Sequence, residues 1–231
     1  MIILYICSKR FEKYLKISTE SVLKYNPNAE IIIITKDKLD VPFEQINLDT
    51  PKKIKNVSDE DNWICSSKIY CVNLPYDKII LLGADTICQG SLETLWNKPC
   101  EYINACKSHY YGETQARELE IENYINVDMM VMNLKRLRED DFINKVFATQ
   151  DYPVNMWCNE ETLINGSYHN KIKILPQKYN YAYNRIYRKP MANCKAVILH
   201  FIGNQKEDMV NYYKARCQRK GEMLNVKERK E

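Results

Sequence analysis

Three short, predominantly apolar runs limit the folds open to this chain more than any other feature. They are Ile2–Cys7, Glu30–Thr35, which holds four consecutive isoleucines, and Lys78–Leu82. Continuous runs rich in β-branched residues are typical of strands that are buried on both faces. Between the first two runs, Phe11–Tyr25 carries apolar residues at helical spacing. Strand, helix and strand in this order predict the βαβ unit of a parallel sheet, and therefore an α/β fold.

The rest of the chain shows no repeat or low-complexity segment, so its 231 residues predict a single domain with a mostly parallel central sheet flanked by helices. The further predicted helices are Cys65–Leu74, Ser91–Trp96 with Ser91 as its N-cap, Leu134–Thr149 and a basic helix after Asn204. The further predicted strands are Met129–Met132, Ile172–Leu175 and Ala196–Leu199. The predicted loops are residues 49–61 and 107–123, and the second, which contains Tyr110-Tyr111-Gly112, is expected to be mobile.

The charge and cysteine content exclude several classes of protein. Lys and Arg exceed Asp and Glu by four, which favours an anionic ligand but not a nucleic-acid partner, since there is no concentrated basic patch. Nine scattered cysteines form no C-x-x-C pair, so we expect no disulfide framework and a reducing compartment. No apolar run is long enough to span a bilayer, and Lys9, Arg10 and Glu12 interrupt any signal-peptide pattern. We therefore expect a cytoplasmic protein without a transmembrane segment, and the basic tail leaves peripheral membrane contact open.

Polar clusters follow three of the predicted strands at the point where each strand ends. These clusters are Cys7–Phe11, Gly83–Thr86 and His200–Lys206. In an open parallel sheet, ligands bind beyond the carboxyl ends of the strands, so segments that are distant in the sequence can meet there. We therefore expect the three clusters to form one binding site.

Asp85 and His200 are candidate metal ligands within this site. A carboxylate is a hard oxygen ligand for Mg²⁺ or Mn²⁺, and an imidazole nitrogen can ligate Mn²⁺. Gly203 permits close approach of the backbone to a phosphate, and Lys206 can neutralise charge on a leaving phosphate. Simpler interpretations also exist: Asp85 as a turn residue, His200 as a half-buried histidine at a strand end, and Lys206 as part of a solvated helix face.

Six motifs follow one another in a fixed order between residues 67 and 206. They are Ser67–Tyr70, Tyr76–Thr86, Tyr124–Leu134, Glu160–Asn165, Ile172–Asn180 and His200–Lys206. The second reads Y-D-K-I-I-L-L-G-A-D-T and the last reads H-F-I-G-N-Q-K. Together they resemble the glycogenin-like and bacterial galactosyltransferase-like family of retaining glycosyltransferases, family 8. The resemblance implies a single Rossmann-like GT-A domain over residues 1–206, followed by a basic helical tail at residues 207–231.

The resemblance also implies roles for individual side chains. Asp85 and His200 would bind the metal, Mn²⁺ or Mg²⁺, and Gly203 and Lys206 would hold the diphosphate. The other contacts to the nucleotide-sugar would come from Ile6, Cys7, Ser8, Phe11, Lys68, Ala84 and Asn126. The catalytic side chains around the sugar and its leaving group would be Asp128, Glu160, Glu161 and Lys206. Phe11 could instead be a core residue, and the two glutamates could be charges at a helix N-terminus.

Several positions depart from the family pattern. Gly83 stands where the family has the first acid of its D-x-D motif, so one expected metal ligand is missing and either water or another acid must take its place. Asp128 stands where the family has a sugar-facing glycine, and Glu160-Glu161 stands where it has Asp-Gln. Glu207-Asp208 replaces Pro-Trp. These changes affect the identity of the sugar more than the fold or the class of donor.

The predicted function is metal-dependent transfer of a hexose from a nucleotide-diphosphate sugar, such as a UDP-sugar, with retention of anomeric configuration. The acceptor is expected to be a hydroxyl group of a glycan, a glycolipid or a protein. A nucleotidyltransferase is one alternative, but it should carry a glycine-rich basic loop after the first strand, and Cys7-Ser8-Lys9-Arg10 contains no glycine. A non-catalytic nucleotide-sugar-binding module is another, with Gly83 as a sign of lost activity.

Overall fold

A central sheet of seven strands carries the fold, in the order β3-β2-β1-β4-β7-β6-β8. The computed structural model describes residues 1–108, 112–151, 159–183 and 196–219, without the side chains of Glu60 and Arg219. The strands are β1 (Ile2–Ile6), β2 (Glu30–Ile34), β3 (Glu44–Ile46), β4 (Lys78–Leu82), β5 (Thr86–Cys88), β6 (Ile103–Lys107), β7 (Ile125–Asn133), β8 (Ile172–Ile174), β9 (Tyr181–Ala182) and β10 (Ile198–His200). The helices are α1 (Glu12–Tyr25), α2 (Asp59–Tyr70), α3 (Glu93–Trp96), α4 (Gly112–Glu118), α5 (Leu134–Glu139), α6 (Phe142–Ala148), α7 (Asn159–Tyr168) and α8 (Lys206–Arg219).

Most strand pairs in the described part of this sheet are parallel. β1 pairs in parallel with β2 over its full length, from Ile2 opposite Glu30 to Ile6 opposite Ile34. β1 is also parallel to β4, and β2 is parallel to β3. β7 runs antiparallel to both β4 and β6, whereas β8 is parallel to β6. The predicted α/β fold with a mostly parallel central sheet is therefore confirmed.

Both faces of the central sheet are covered, and this explains the run of four isoleucines in β2. Ile32 and Ile34 belong to the apolar cluster on one face, which includes Ile69 of α2. Ile31 and Ile33 belong to the cluster on the other face, together with Leu15 of α1. A strand that packs between two apolar layers has no solvent-exposed face. Its sequence therefore shows no alternation of polar and apolar residues.

A second, smaller sheet brings the late part of the chain back to the end of β4. In it β10 lies between β5 and β9, antiparallel to the first and parallel to the second. His200 at the end of β10 pairs with Thr86 at the start of β5. The backbone amide of Phe201 donates to the carbonyl of Asp85 at 2.9 Å. The sequence predicted a strand at Ala196–Leu199 but neither of its two partners, and these pairings hold the strand-end acid beside the histidine.

The predicted helix Leu134–Thr149 is wrong as a single element, because it is two helices. α5 ends at Glu139 and α6 begins at Phe142. Between them Asp141 has a φ of 55°, a left-handed conformation that cannot continue a right-handed helix. Leu137 and Phe142 are both buried in the same apolar cluster, so the break allows both helices to pack on one face of the sheet.

Two predicted helix starts were also wrong. α2 begins at Asp59 within the predicted loop, because the Ser58 hydroxyl accepts a hydrogen bond from the Asp61 amide at 3.3 Å and caps the helix. α3 begins at Glu93 with Leu92 at the N-cap position. The predicted cap, Ser91, lies one residue earlier, although its hydroxyl accepts from the Glu93 amide at 3.2 Å.

The predicted loop at residues 107–123 contains helix α4, and Tyr110-Tyr111 lies outside the described residues. The predicted helix after Asn204 is present as α8, while residues 220–231 lie outside the described residues. Met209 and Tyr213 of α8 pack in an apolar cluster with Ile17 of α1. In the ranges that the structure describes, no helix is both long and apolar enough to cross a membrane. The division into a domain and a tail at residue 206 stays a prediction.

Candidate active site

The carboxyl ends of β1 and β4 open into a cleft made of two adjoining cavities. The first is lined by residues that include Ile6, Phe11, Lys68, Gly83, Ala84, Asp85, Asp128 and Lys206. The second, with a volume of about 380 Å³, is lined by residues that include Arg10, Phe11, Lys68, Ser108, Asn126, Asp128, Glu160 and Glu161. A cavity of this size is within the range of small-molecule sites. Most of the side chains that the sequence nominated therefore meet at the strand ends.

Cys7, Ser8, His200 and Gly203 lie beside these cavities rather than in their described lining, and His200 is buried behind Asp85. Cys7 is buried in the apolar cluster behind β1, and burial raises the pKa of its thiol to about 12, so it is not a nucleophile at neutral pH. The Ser8 hydroxyl oxygen is buried and has no hydrogen-bond partner among the described residues. Gly203 has a φ of 61°, and a Cβ added there would meet nothing within 4 Å, so its backbone faces open space.

Asp85, His200 and Lys206 form an ion network at the floor of the first cavity. His200 Nε2 lies 3.3 Å from Asp85 Oδ1, and Lys206 Nζ lies 2.7 Å from Asp85 Oδ2. Burial alone would raise the pKa of Asp85, but His200 and Lys206 outweigh it and hold this pKa below its usual value. Burial has the opposite effect on the histidine and would lower the pKa of His200, but the carboxylates of Asp85 and Asp128 outweigh it and raise this pKa. Asp85 is therefore ionised, with cationic partners on both of its oxygens.

Asn180 fixes the orientation of the His200 ring. Its side-chain oxygen lies 3.0 Å from His200 Nδ1, so the other ring nitrogen points towards Asp85. The Asn180 amide group also donates to Asn126 Oδ1 at 2.8 Å, which links the histidine to β7. Asn180 is fully buried. The sequence placed Asn180 in a family-like motif but did not nominate it for the site. Its contact with His200 depends on the pairing of strands in the second sheet, which the sequence did not predict.

Lys68 of α2 neutralises two carboxylates between the cavities. Its Nζ lies 2.5 Å from Asp128 Oδ1 and 2.7 Å from Glu160 Oε1. Burial would lower the pKa of Lys68, but the two carboxylates outweigh it and raise this pKa well above its usual value. Burial would raise the pKa of Asp128, but Lys68 and His200 lower it. The three side chains are thus a buried charge cluster, which the sequence had assigned as separate nucleotide and sugar contacts.

Glu161 lies on the wall of the second cavity and differs from its neighbour Glu160. One carboxylate oxygen, Oε2, accepts hydrogen bonds from Asn126 Nδ2 at 2.9 Å and from the Val127 amide at 3.1 Å. Its other oxygen lies 3.2 Å from the Ser108 hydroxyl, a neighbour that the sequence did not nominate. Burial, with the charge of Asp128 adding to it, raises the pKa of Glu161 to about 8. Glu161 is therefore largely protonated at pH 7.

Phe11 stands at the mouth of both cavities between two cations. Arg10 Cζ lies 4.6 Å from the centre of the Phe11 ring, and Lys206 Nζ lies 5.8 Å from it. Arg10 also forms an ion pair with Asp61 at the same rim. An aromatic face next to positive charge is suited to a planar ring that carries an anionic group. Phe11 is partly buried and also packs on the core, so the core interpretation and the binding interpretation are both compatible with its position.

The donor atoms at the cavity floor are suited to a hard divalent cation. Asp85 Oδ1 and Asp128 Oδ2 lie 3.3 Å and 3.7 Å from His200 Nε2. Carboxylate oxygens and imidazole nitrogen suit Mn²⁺, and Mg²⁺ needs few protein ligands because it keeps water and phosphate oxygens. Among the described residues, no three acidic, histidine or cysteine side chains already surround an ion position. Lys206 and Lys68 each hold one oxygen of these two carboxylates, and the other oxygens face His200. The chemistry of these donor atoms fits a divalent cation.

A comparison with protein families decides the assignment. The family model described as glycosyl transferase family 8 matches residues 2–207. The chain belongs to glycosyl transferase family 8. The match covers β1 to the start of α8, so it includes every side chain of the cleft and confirms the resemblance drawn from the six motifs.

A family 8 assignment agrees with a curated relative. A protein of Haemophilus influenzae that is inferred to be a glycosyltransferase is 24% identical over 143 aligned positions, in an alignment that covers 56% of this chain and 43% of that protein. The chain therefore spans less than half the length of this relative.

Solved structures show the same fold at low sequence identity. The galactosyltransferase LgtC, in complex with donor and acceptor sugar analogues, matches with a TM-score of 0.71 and 16% identity over 99% of this chain and 98% of LgtC. The glycosyltransferase GlyE of Streptococcus pneumoniae TIGR4 matches with a TM-score of 0.67 and 14% identity over 92% of this chain and 59% of GlyE. Mouse xyloside xylosyltransferase 1 matches with a TM-score of 0.60 and 10% identity over 88% of this chain and 98% of the mouse chain. This family 8 chain therefore has the GT-A fold.

Proposed function

We propose that this protein transfers a hexose from a nucleotide-diphosphate sugar, with a UDP-sugar as the first candidate, to a hydroxyl group of a glycan, glycolipid or protein. The observation that carries the proposal is the buried contact of Asp85 with His200 at the strand ends, with Lys206 on the other carboxylate oxygen. A buried carboxylate that faces both an imidazole and an ammonium group is suited to a site for metal and phosphate. Membership of family 8 supports the proposal and disfavours a nucleotidyltransferase.

Asp85 and His200 would hold a divalent cation, Mn²⁺ or Mg²⁺. When bound, the cation would neutralise negative charge on the departing diphosphate. Lys206 is 26% exposed and lines the first cavity, so its ammonium group can leave Asp85 and approach a phosphate oxygen. It would then stabilise the leaving group as a compact cation. Gly203, with its unobstructed backbone at the start of α8, would allow the diphosphate to come close.

The nucleoside would lie along the first cavity. Ile6, Phe11 and Ala84 line that cavity and would pack against the base and ribose, with Ser8 and Cys7 beside them. The orphaned Ser8 hydroxyl would gain a hydrogen bond from such a ligand, which would offset the cost of its burial. Lys68 at the junction of the cavities would approach the nucleotide from the sugar side.

The sugar would occupy the second cavity, next to Asn126, Glu160 and Glu161. The acceptor hydroxyl would attack the anomeric carbon on the face that the diphosphate leaves, which retains configuration. A phosphate oxygen of the leaving group can take the hydroxyl proton, so no dedicated protein base is needed. Glu160, whose carboxylate is held by Lys68, would face positive charge that develops on the sugar ring. Glu161 in its protonated form can donate a hydrogen bond to a sugar hydroxyl.

A thermal-shift experiment tests the donor and the metal together. A ligand that binds only the native state raises the melting temperature, and saturating UDP with Mn²⁺ should raise it by roughly 5–10 °C for a chain of this size. UDP without Mn²⁺ should give a much smaller shift, and Asp85→Ala should lose the Mn²⁺-dependent part. If no nucleoside diphosphate raises the melting temperature with any divalent metal, the proposed donor class is wrong.

A second readout separates an enzyme from a non-catalytic binding module. The purified protein is incubated with UDP-glucose or UDP-galactose and Mn²⁺ without acceptor, and release of UDP is followed over time. An enzyme should hydrolyse the donor slowly, with water in place of the acceptor. A protein that shows the thermal shift but never releases UDP, with or without a panel of sugar acceptors, would be a binding module.

A further inference from the structure

Gly83 and Asp128 face each other across the pair of strands β4 and β7. Their neighbours Leu82 and Met129 pair at the last step of the register, and the Gly83 amide donates to the Asp128 carbonyl at 2.7 Å. A Cβ added to Gly83 would lie 3.1 Å from the Cβ of Asp128. Such a separation is tighter than ordinary carbon contacts. Side chains at the two positions therefore point into one space, which has room for one carboxylate and not for two.

The sequence places that carboxylate on the opposite strand from the family motif. In the family pattern the position of Gly83 is the first acid of D-x-D, and the position of Asp128 is a glycine. This chain has the reverse pair. A Cβ on Gly83 would also come within 2.8 Å of Asp85 Oδ1, so an acid cannot be added at position 83 while Asp128 and Asp85 keep their positions. The glycine therefore avoids close contacts with both acids, Asp85 and Asp128.

The Asp128 carboxylate points towards the same position as the two metal-ligand candidates. Its Oδ2 lies 3.7 Å from His200 Nε2, and Asp85 Oδ1 lies 3.3 Å from the same nitrogen. Adjacent ligands of a six-coordinate ion with metal–ligand bonds near 2.1 Å are separated by roughly 3 Å. The separations of both oxygens from the His200 nitrogen are thus close to the spacing that one shared cation requires. Lys68 holds the other oxygen of Asp128 and orients the carboxylate.

We propose that Asp128 replaces the missing acid of the D-x-D motif and is the third protein ligand, with Asp85 and His200, of the divalent cation. The proposal rests on the proposed function, since it deepens the metal site of that function. It assigns Asp128 to the metal instead of the sugar. It also explains how a protein with Gly83 in place of an acid can keep a metal site. The carboxylate comes from Asp128 of β7 instead of from the position after β4.

Binding of Mn²⁺ in the presence of UDP tests the proposal without any measurement of turnover. The readout is the water-proton relaxation rate, which responds when Mn²⁺ becomes bound to protein. Asp128→Asn keeps the shape of the side chain but removes its charge, and it should weaken Mn²⁺ binding at least tenfold. Asp59→Asn is the control, because it makes the same substitution at an exposed position of α2 outside the lining of both cavities, and it should change binding by less than about threefold.

A reciprocal exchange gives a second test. Asp128→Gly should lose Mn²⁺ binding, and the double variant Gly83→Asp/Asp128→Gly should regain it to within about threefold of the unmodified protein. A folded double variant that does not regain binding would contradict the proposal; if it does not fold, the comparison of Asp128→Asn with Asp59→Asn decides. Equal Mn²⁺ binding by Asp128→Asn and the unmodified protein would overturn the role of Asp128 alone. An unmodified protein that binds no Mn²⁺ with UDP would overturn both this role and the metal of the proposed function.

Discussion

Lys68 is a single ammonium group that faces two carboxylates, the half-buried Asp128 and the buried Glu160. Lys68→Met should therefore destabilise the protein by about 3 kcal/mol, because it leaves both acids without their cation. Lys53→Met is the control, since Lys53 and its partner Asp59 are 69% and 87% exposed, and such exposed pairs contribute little to stability. Urea unfolding of the two variants measures the difference. If both variants lost a similar amount of unfolding free energy, the ion pairs of Lys68 would not stabilise the protein more than an exposed pair does.

Glu161 should make the stability of the protein depend on pH. Its pKa is about 8 in the folded protein and near its ordinary value of 4.5 when unfolded, so its contribution to stability is fully present below pH 4.5 and is lost as the pH rises from there through 8. Glu161→Gln keeps an oxygen for Asn126 and Val127 and does not titrate. The variant should be more stable than the unmodified protein by roughly 5 kcal/mol at pH 9 and similar to it near pH 5. Unfolding curves at both pH values check this, and parallel pH profiles would contradict it.

The sequence nominated several candidate site residues because apolar runs predict where strands end. Asp85 and His200 were found in this way, and the structure brings their side chains together. Contacts that depend on an antiparallel register were not readable. Gly83 and Asp128 face each other because of the way in which β4 pairs with β7. Lys68 forms its ion pair with Asp128 because α2 lies against these two strands. Neither relation leaves a periodic signal in the sequence.

Helix α8 is anchored by apolar side chains that point towards α1. Met209 is fully buried there, next to Tyr213 and Ile17. Met209→Ala should destabilise the protein by about 3 kcal/mol, through lost burial and the cavity left behind. Gln218→Ala, at an exposed position on the same helix, should change stability by less than about 0.5 kcal/mol. Thermal unfolding of both variants measures this, and an effect of Met209→Ala no larger than that of Gln218→Ala would mean that α8 does not contribute to the core.

Most elements with uniform burial were predicted, although the buried strand β6 was missed, and elements defined by local backbone geometry were not predicted. β4 begins and ends where its apolar run predicted, at Lys78 and Leu82. The helix predicted over Leu134–Thr149 breaks at Asp141, whose left-handed conformation has no apolar signature. The short strands β5 and β9 were missed because strands of three and two residues are too brief to show a period. These two strands position His200, so the part of the fold that completes the site was the least predictable.

At the scale of the whole molecule, the charged side chains of the cleft lie together at the carboxyl ends of the central strands. Cations from α2 and α8, Lys68 and Lys206, neutralise the acids that β7 and the end of β4 present to the cleft. This balance keeps a buried acidic site stable and leaves cations ready to move to an anionic ligand. The GT-A fold therefore explains why distant segments share a site. The cytoplasmic location and the identity of the acceptor stay predictions.

Release of UDP from a UDP-hexose in the presence of Mn²⁺, compared between the unmodified protein and Asp85→Asn, tests the central proposal most directly. The unmodified protein should release UDP, and a chelator should stop the release. Asp85→Asn should lower the rate at least 100-fold, because several kcal/mol of stabilisation of the leaving group depend on that carboxylate. Asp59→Asn, at an exposed position on α2, should keep the rate of the unmodified protein. An Asp85→Asn variant with an unchanged Mn²⁺-dependent rate would contradict a metal-assisted transfer at this site.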